Sequence, residues 1–169
     1  MPDLIPLAPL ANDSLMSTAI PVDLSSNTQK PLYRVVTGAL NPGDKLHITA
    51  DARVTNDCGY PSGTRYTIGV GWHLWYYVYA GAGITVQPWT RLGHLQGANV
   101  SPDIHHLDLH IGYLHTIPAD WAPGARMAVV LQADAHSTAW AKNGGTDTLT
   151  VDAGYGQIVV APWVAPPTV

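Results

Sequence analysis

Eight histidines stand in the 169 residues, and five of them fall between His94 and His115. The run His105-His106-Leu107-Asp108-Leu109-His110 is the segment best suited to hold a metal ion. On a strand, side chains alternate, so His106, Asp108 and His110 share one face, and Leu107, Leu109, Ile111 and Tyr113 the other. Same-face neighbours lie about 6–7 Å apart, close enough for a chelating pair. All three together span about 13 Å, too far for one ion without a bend. A metal centre of the cupin type uses a His-x-His pair, then a Glu, then a later His. This chain has no Glu, and its spacing is His-x-Asp-x-His. The row therefore reads as a polar strand face, exposed or at a subunit contact. A metal site on His106, Asp108 and His110, serving a divergent metal-dependent enzyme, is the alternative.

Other reaction chemistries find less material. No Gly-x-Ser-x-Gly is present to raise a nucleophile on a strand-to-helix turn. Asp134 and His136 lie on one face of a strand and Ser137 on the other, so they do not line up as a triad. All twelve acids are Asp, many at turn positions such as Asp44, Asp57, Asp120 and Asp147. Gly81-Ala82-Gly83 lacks the Lys and the following helix of a phosphate loop. The expectation is a protein that is not an enzyme and carries no cofactor. Cys58, the single cysteine, sits in the turn-like Asn56-Asp57-Cys58-Gly59-Tyr60-Pro61 with no adjoining basic residue. It reads as a structural thiol in a chain made in a reducing cytoplasm.

The elements that must position these residues are strands. Charged residues make up 12% of the chain, about half the usual share, and neither Glu nor Phe occurs. Without Glu, and with few Lys, there is little to cover the exposed side of a helix. Sixteen Gly, fourteen Pro and abundant Thr, Val, Trp and Tyr point to an all-β domain. Turn chemistry at Asn41-Pro42-Gly43-Asp44, Pro61-Ser62-Gly63, Gly81-Ala82-Gly83, Ala122-Pro123-Gly124 and Asn143-Gly144-Gly145 divides the text. Eight strands are expected, at 32–40, 45–55, 64–79, 84–92, 104–116, 125–137, 146–152 and 155–163. They suit an antiparallel jelly-roll β-sandwich, with an immunoglobulin-like sandwich as the other possibility. Pro42-Gly43 opens a strand ending Ala50-Asp51-Ala52-Arg53, and Pro123-Gly124 opens one ending Ala133-Asp134-Ala135-His136. These two strands are expected to be equivalent.

Alternation assigns the faces. Tyr66, Ile68, Val70, Trp72, Leu74, Tyr76 and Val78 form one core row. Leu46, Ile48, Ala50 and Ala52 form a second, and Met127, Val129, Leu131, Ala133 and Ala135 a third. Gly69, Gly71, His73, Trp75, Tyr77 and Tyr79 share the opposite side of the third strand. Left to water, that side exposes a large apolar patch. His73, Trp75, Tyr77 and Tyr79 are therefore assigned to an oligomer interface or to burial under an arm, with sugar stacking as the alternative.

Residues 1–31 form the expected arm, and residues 32–169 the sandwich domain. Five prolines, from Pro2 to Pro31, interrupt the arm, yet its apolar content exceeds that of a solvated tail. Leu4, Ile5, Leu7 and Leu10 are its candidate contact residues. A net charge of -4 with scattered basic residues offers no nucleic-acid footprint. No run of 18 apolar residues offers a membrane helix, and the N-terminus has no secretory pattern.

Three stretches carry a resemblance. They are Val54-Thr55-Asn56-Asp57, Gly69-Val70-Gly71-Trp72-His73-Leu74-Trp75, and Thr148-Leu149-Thr150-Val151-Asp152-Ala153-Gly154-Tyr155-Gly156-Gln157-Ile158-Val159-Val160. Over residues 32–163 the chain resembles small jelly-roll capsid decoration (cement) proteins of tailed bacteriophages, of the tumour-necrosis-factor/C1q type. That resemblance implies a homotrimer bound to the major capsid protein on the outside of a phage head. It implies a virion location, manufacture in the bacterial host cytoplasm, and a structural role without catalytic residues. A tail-appendage or carbohydrate- or receptor-binding β-sandwich is the alternative.

Overall fold

The computed structural model describes residues 18–23, 29–56, 66–80, 84–85, 90–103, 106–137 and 148–163. Leu4, Ile5, Leu7, Leu10 and Cys58 lie outside the described residues, as does the side chain of Tyr79. Among the described residues every element is a strand: β1 Thr18–Asp23, β2 Lys30–Val36, β3 Lys45–Thr55, β4 Ile68–Ala80 and β5 Ile84–Thr85, followed by β6 Thr90–Val100, β7 His106–Thr116, β8 Arg126–His136, β9 Thr148–Val151 and β10 Gln157–Pro162. The chain is an all-β jelly-roll-like sandwich.

The strands make one curled sheet that folds into two layers. In the first layer β8 lies between β2 and β4, and β4 pairs onward with β6 and, at its end, β5. In the second, β3 lies between β7 and β10, with β9 beside its far end. β1 joins the layers. Residues 18–21 run antiparallel to β9, and Val22 and Asp23 run parallel to Ala135 and His136 of β8. The sheet is therefore mixed, where the sequence predicts an antiparallel one.

The three alternating rows face each other across the interior. Tyr66, Ile68, Val70, Trp72, Leu74, Tyr76 and Val78 are all buried, as are Leu46 to Ala52 and Met127 to Ala135 at every second position. One core results, shared by both layers. The matching turns also hold. Gly43 and Gly124 adopt φ of 86° and 81°, a region that glycine enters without a Cβ penalty. They lead into β3 and β8, the central strands of the two layers. The turns meet at one end, where Leu40 bridges Ala125 and the Gly124 amide donates to the Leu40 carbonyl at 2.8 Å.

Ten strands stand where eight are expected, and β1, β5 and β6 depart from the sequence reading, the expected strand 84–92 being divided between β5 and β6. β1 lies within the segment read as strandless arm. Its Ile20 and Val22 alternate into the core while Ala19 and Pro21 face out, a pattern too short to register. Pro21, which has no amide to donate, falls where the partner changes from β9 to β8, so no continuous ladder is interrupted. β6 runs to Val100, eight residues past its expected end at 92. Its pairing with β4 shifts register between Val70 and Trp72 and again between Leu74 and Trp75. Those irregularities, with Gly93 and Gly97, break the period of two on which the reading depended.

Candidate functional site: the outward faces of the two layers

On the first layer's outward side, antiparallel register sets Gly71 opposite Asp134, His73 opposite Gln132, Trp75 opposite Val130 and Tyr77 opposite Ala128. His73 is only 5% exposed and Asp134 1%, and His73 Nε2 lies 2.5 Å from Asp134 Oδ2. Gly71 makes room for this pair, since a Cβ there would sit 2.8 Å from Asp134 Oδ1. Tyr77 packs with Ala128, Val130 and Val36 in a second, smaller apolar cluster. Its hydroxyl accepts from Arg34 Nη1 at 3.2 Å. Trp75 is half-buried and donates its indole N–H to Gln29 Oε1 at 3.0 Å, with Arg91 6.0 Å from its ring. His73 and Tyr77 are thus already covered within a single copy of the chain.

The second layer's outward side is open. Read across β7, β3 and β10, its rungs are Leu114–His47–Ala161, Gly112–Thr49–Val159 and His110–Asp51–Gln157. Two further rungs, Asp108–Arg53 and His106–Thr55, continue beyond the end of β10. There the loop after β9 brings in Asp152 and Tyr155. The face divides along its length. One end carries Leu114, Val159 and Trp163, all exposed, with Lys45 5.4 Å from the Trp163 ring. The other end carries most of the ionisable groups.

Those groups form two hydrogen-bonded sets. Asp51 receives His110 Nδ1 at 2.5 Å and Gln157 Nε2 at 3.0 Å. Partial burial acts to raise the Asp51 carboxyl, but these two hydrogen bonds outweigh it and hold the group below its usual range. Asp152 is the hub of the second set. It accepts from Arg53 Nε at 2.6 Å and from the Thr55 hydroxyl at 2.8 Å, and His106 lies 3.4 Å away. Thr55 has one proton and gives it to Asp152, so the 2.6 Å contact with His106 requires His106 to donate from Nδ1. The Arg53 guanidinium also stacks on Tyr155, 3.1 Å from the ring centroid. Burial, with the Asp152 charge second, raises the pKa of the adjoining Tyr33 phenol.

His106, Asp108 and His110 do share one face, as their spacing predicts. They do not converge. His106 is drawn to Thr55 and Asp152, His110 to Asp51, and Asp108 forms no hydrogen bond or ion pair with a described residue. Among the described residues no three His, Cys or Asp side chains are placed to hold one metal ion. Sequence reasoning missed Asp152, Arg53, Thr55 and Tyr155. The contact of Thr55 with Asp152 closes 97 residues of sequence, and no local pattern announces it. Asp51 did leave a signal, in the Ala-Asp-Ala echo with Asp134.

No protein-family model and no curated protein matches the sequence. Solved structures do. Derived T=1 particles of infectious bursal disease virus match with a TM-score of 0.51 at 10% identity, over 94% of this chain and 31% of that one. The Gx strain of the same virus gives 0.49 at 11% identity, over 94% and 32%. A structure titled for a CBM4 gives 0.36 at 15% identity, over 87% and 71%. The chain spans about a third of the length of the viral chains it matches. At such identities the likeness is one of fold alone, a β-sandwich.

Proposed function

We propose that the protein is a virion structural component, a decoration (cement) protein that binds the outside of a phage head as a homotrimer and stabilises the shell. Its partners in this reading are its own copies and the major capsid protein. The observation that carries it is the outward face of β7, β3 and β10. This surface leaves Leu114 59%, Val159 38% and Trp163 36% exposed at one end and Tyr155 54% exposed at the other in the single copy. Large exposed apolar side chains grouped on one sheet face suit protein contact. The β-sandwich likeness to a viral particle protein agrees with this reading at the level of fold.

Leu4, Ile5, Leu7 and Leu10 are assigned to the shell contact in the same reading. The test removes residues 1–17 and leaves β1 intact, because Ile20 and Val22 belong to the core. The shortened chain is expected to stay folded and to lose co-sedimentation with expanded heads. Retained binding overturns the arm assignment, and failure of the full chain to bind heads overturns the reading as a whole.

A carbohydrate- or receptor-binding module is the second reading. It is favoured by Tyr155 and Trp163 standing exposed on the same face as Asp108, His110 and Gln157, an arrangement of rings and hydrogen-bonding groups that a sugar can use. Glycan-array binding that Tyr155→Ala abolishes, without change of oligomeric state, decides for it.

A further inference from the structure

We propose that the free edge of β7 is a self-association surface, on which two copies join antiparallel with Asp108 of each opposite the partner's His110. The inference does not depend on the shell-binding reading.

β7 pairs with β3 over eleven consecutive rungs without a register shift, and among the described residues no strand is hydrogen-bonded to its other edge, while β6 packs close by with Gly93 against Tyr113 and Ile111. That side presents a row of backbone donors and acceptors. Long edge strands are normally blunted by Lys, by Pro, by a bulge or by shortness. β7 is long and unbulged, contains no Lys, Arg or Pro, and carries one carboxylate, Asp108. Its inward-facing Leu107, Leu109 and Ile111 are only half-buried, so an added strand would complete their cover. Tyr113 and Leu114 are exposed at the same edge.

Charge selects the occupant and the register. In a two-fold antiparallel pair, an axis through Leu109 keeps inward residues opposite inward ones. It sets Asp108 against the partner's His110 twice, and Leu107 against the partner's Ile111 twice. Moving the axis by one residue is worse in either direction. At Asp108 it opposes two carboxylates, which costs cross-strand energy, and at His110 it leaves each Asp108 opposite Gly112, with no partner side chain. Asp108 is available for the contact because its β3 neighbour, Arg53, is turned to Asp152 and Tyr155. The His110 ring is fixed in place: Asp51 holds Nδ1, and Nε2 lies over β7 beside Gly112, 3.7 Å from where a Cβ would stand.

The test uses the full chain in a Cys58→Ser background. Leu109→Cys is expected to form an interchain disulfide on mild oxidation, because it meets its own copy at the axis. Leu107→Cys and Ile111→Cys, each facing a different residue, are expected to stay reduced. A folded Leu109→Cys protein that does not cross-link, or equal cross-linking at all three positions, overturns the proposal. Asp108→Lys, at an exposed position where folding is not at stake, is expected to weaken self-association at least tenfold by sedimentation velocity. Unchanged association of that variant overturns it as well.

Discussion

Asp51 and Asp134 occupy matching places in the two layers, and each holds a histidine of the adjacent strand at 2.5 Å, His110 and His73 respectively. Each stands between two core alanines on a central strand entered through a Pro-Gly turn. Burial separates them. The Asp134–His73 side chains are 2% and 6% exposed, and the Asp51–His110 side chains 33% and 62%.

That difference predicts unequal losses from the same substitution. Asp134→Ala leaves the buried His73 without its carboxylate, a change that costs about 3–5 kcal/mol. For a chain of this size each kcal/mol lowers Tm by about 2–4 °C, so a fall of roughly 10 °C is expected. Asp51→Ala removes a largely solvated pair and is expected to cost about 1 kcal/mol or less. Thermal unfolding followed by circular dichroism checks both. Equal losses would show that burial does not set the value of these pairs.

The loop after β9 yields a second prediction. Gly156 lies directly against the Tyr33 ring, and a Cβ there collides with the phenol carbons and oxygen. Gly156→Ala is therefore expected to destabilise the fold by about 1–3 kcal/mol through overpacking. Tyr33→Ala removes the obstacle, so the double variant is expected to lose less than the sum of the two single losses. Urea denaturation of the four proteins measures the coupling, and strict additivity would deny the contact.

The parts of this architecture legible in the sequence are those with an undisturbed period of two. β3 alternates cleanly, and the core rows of β4 and β8 keep every second position, so these inward faces follow from pattern. The rest depends on pairing between distant segments. β6 continues past its expected end because β4 supplies a partner through two register shifts, and β1 exists because β9 and β8 accept it. The candidate face divides in the same way. His106, Asp108 and His110 announce a shared side by spacing, whereas the residues that hold the two histidines, Asp51, Thr55 and Asp152, arrive from elsewhere in the chain.

The divergence of His106 and His110 toward separate carboxylates predicts indifference to metal. Zinc added at tens of micromolar, or a chelator, is expected to leave Tm unchanged in untagged protein. A stabilisation that rises with zinc concentration and disappears in His110→Ala would show that the two imidazoles can be recruited to an ion.

A last prediction concerns acid. His115 is half-buried beside Tyr76 and Trp121, with ring centroids 5.2 and 6.3 Å away, and its β3 neighbour is the buried Leu46. Burial disfavours the imidazolium and lowers the His115 pKa from its ordinary 6.5. With the folded value below the unfolded one, the unfolded chain binds the proton first as pH falls. The stability His115 provides is therefore complete above pH 6.5 and is lost as pH drops through 6.5 toward the lowered folded value. The carboxylate of Asp51, also lowered, gives way only at more acidic pH. Phe in place of His115 keeps an aromatic ring against Tyr76 and Trp121 and removes the titration. Urea midpoints at pH 7.5, 6.5 and 5.5 are expected to show the wild-type chain losing stability relative to His115→Phe. The difference has a limiting slope of about 1.4 kcal/mol per pH unit. A wild-type chain that instead gains on the variant at pH 5.5 would mean that His115 charges more readily in the folded state, against the desolvation its position imposes.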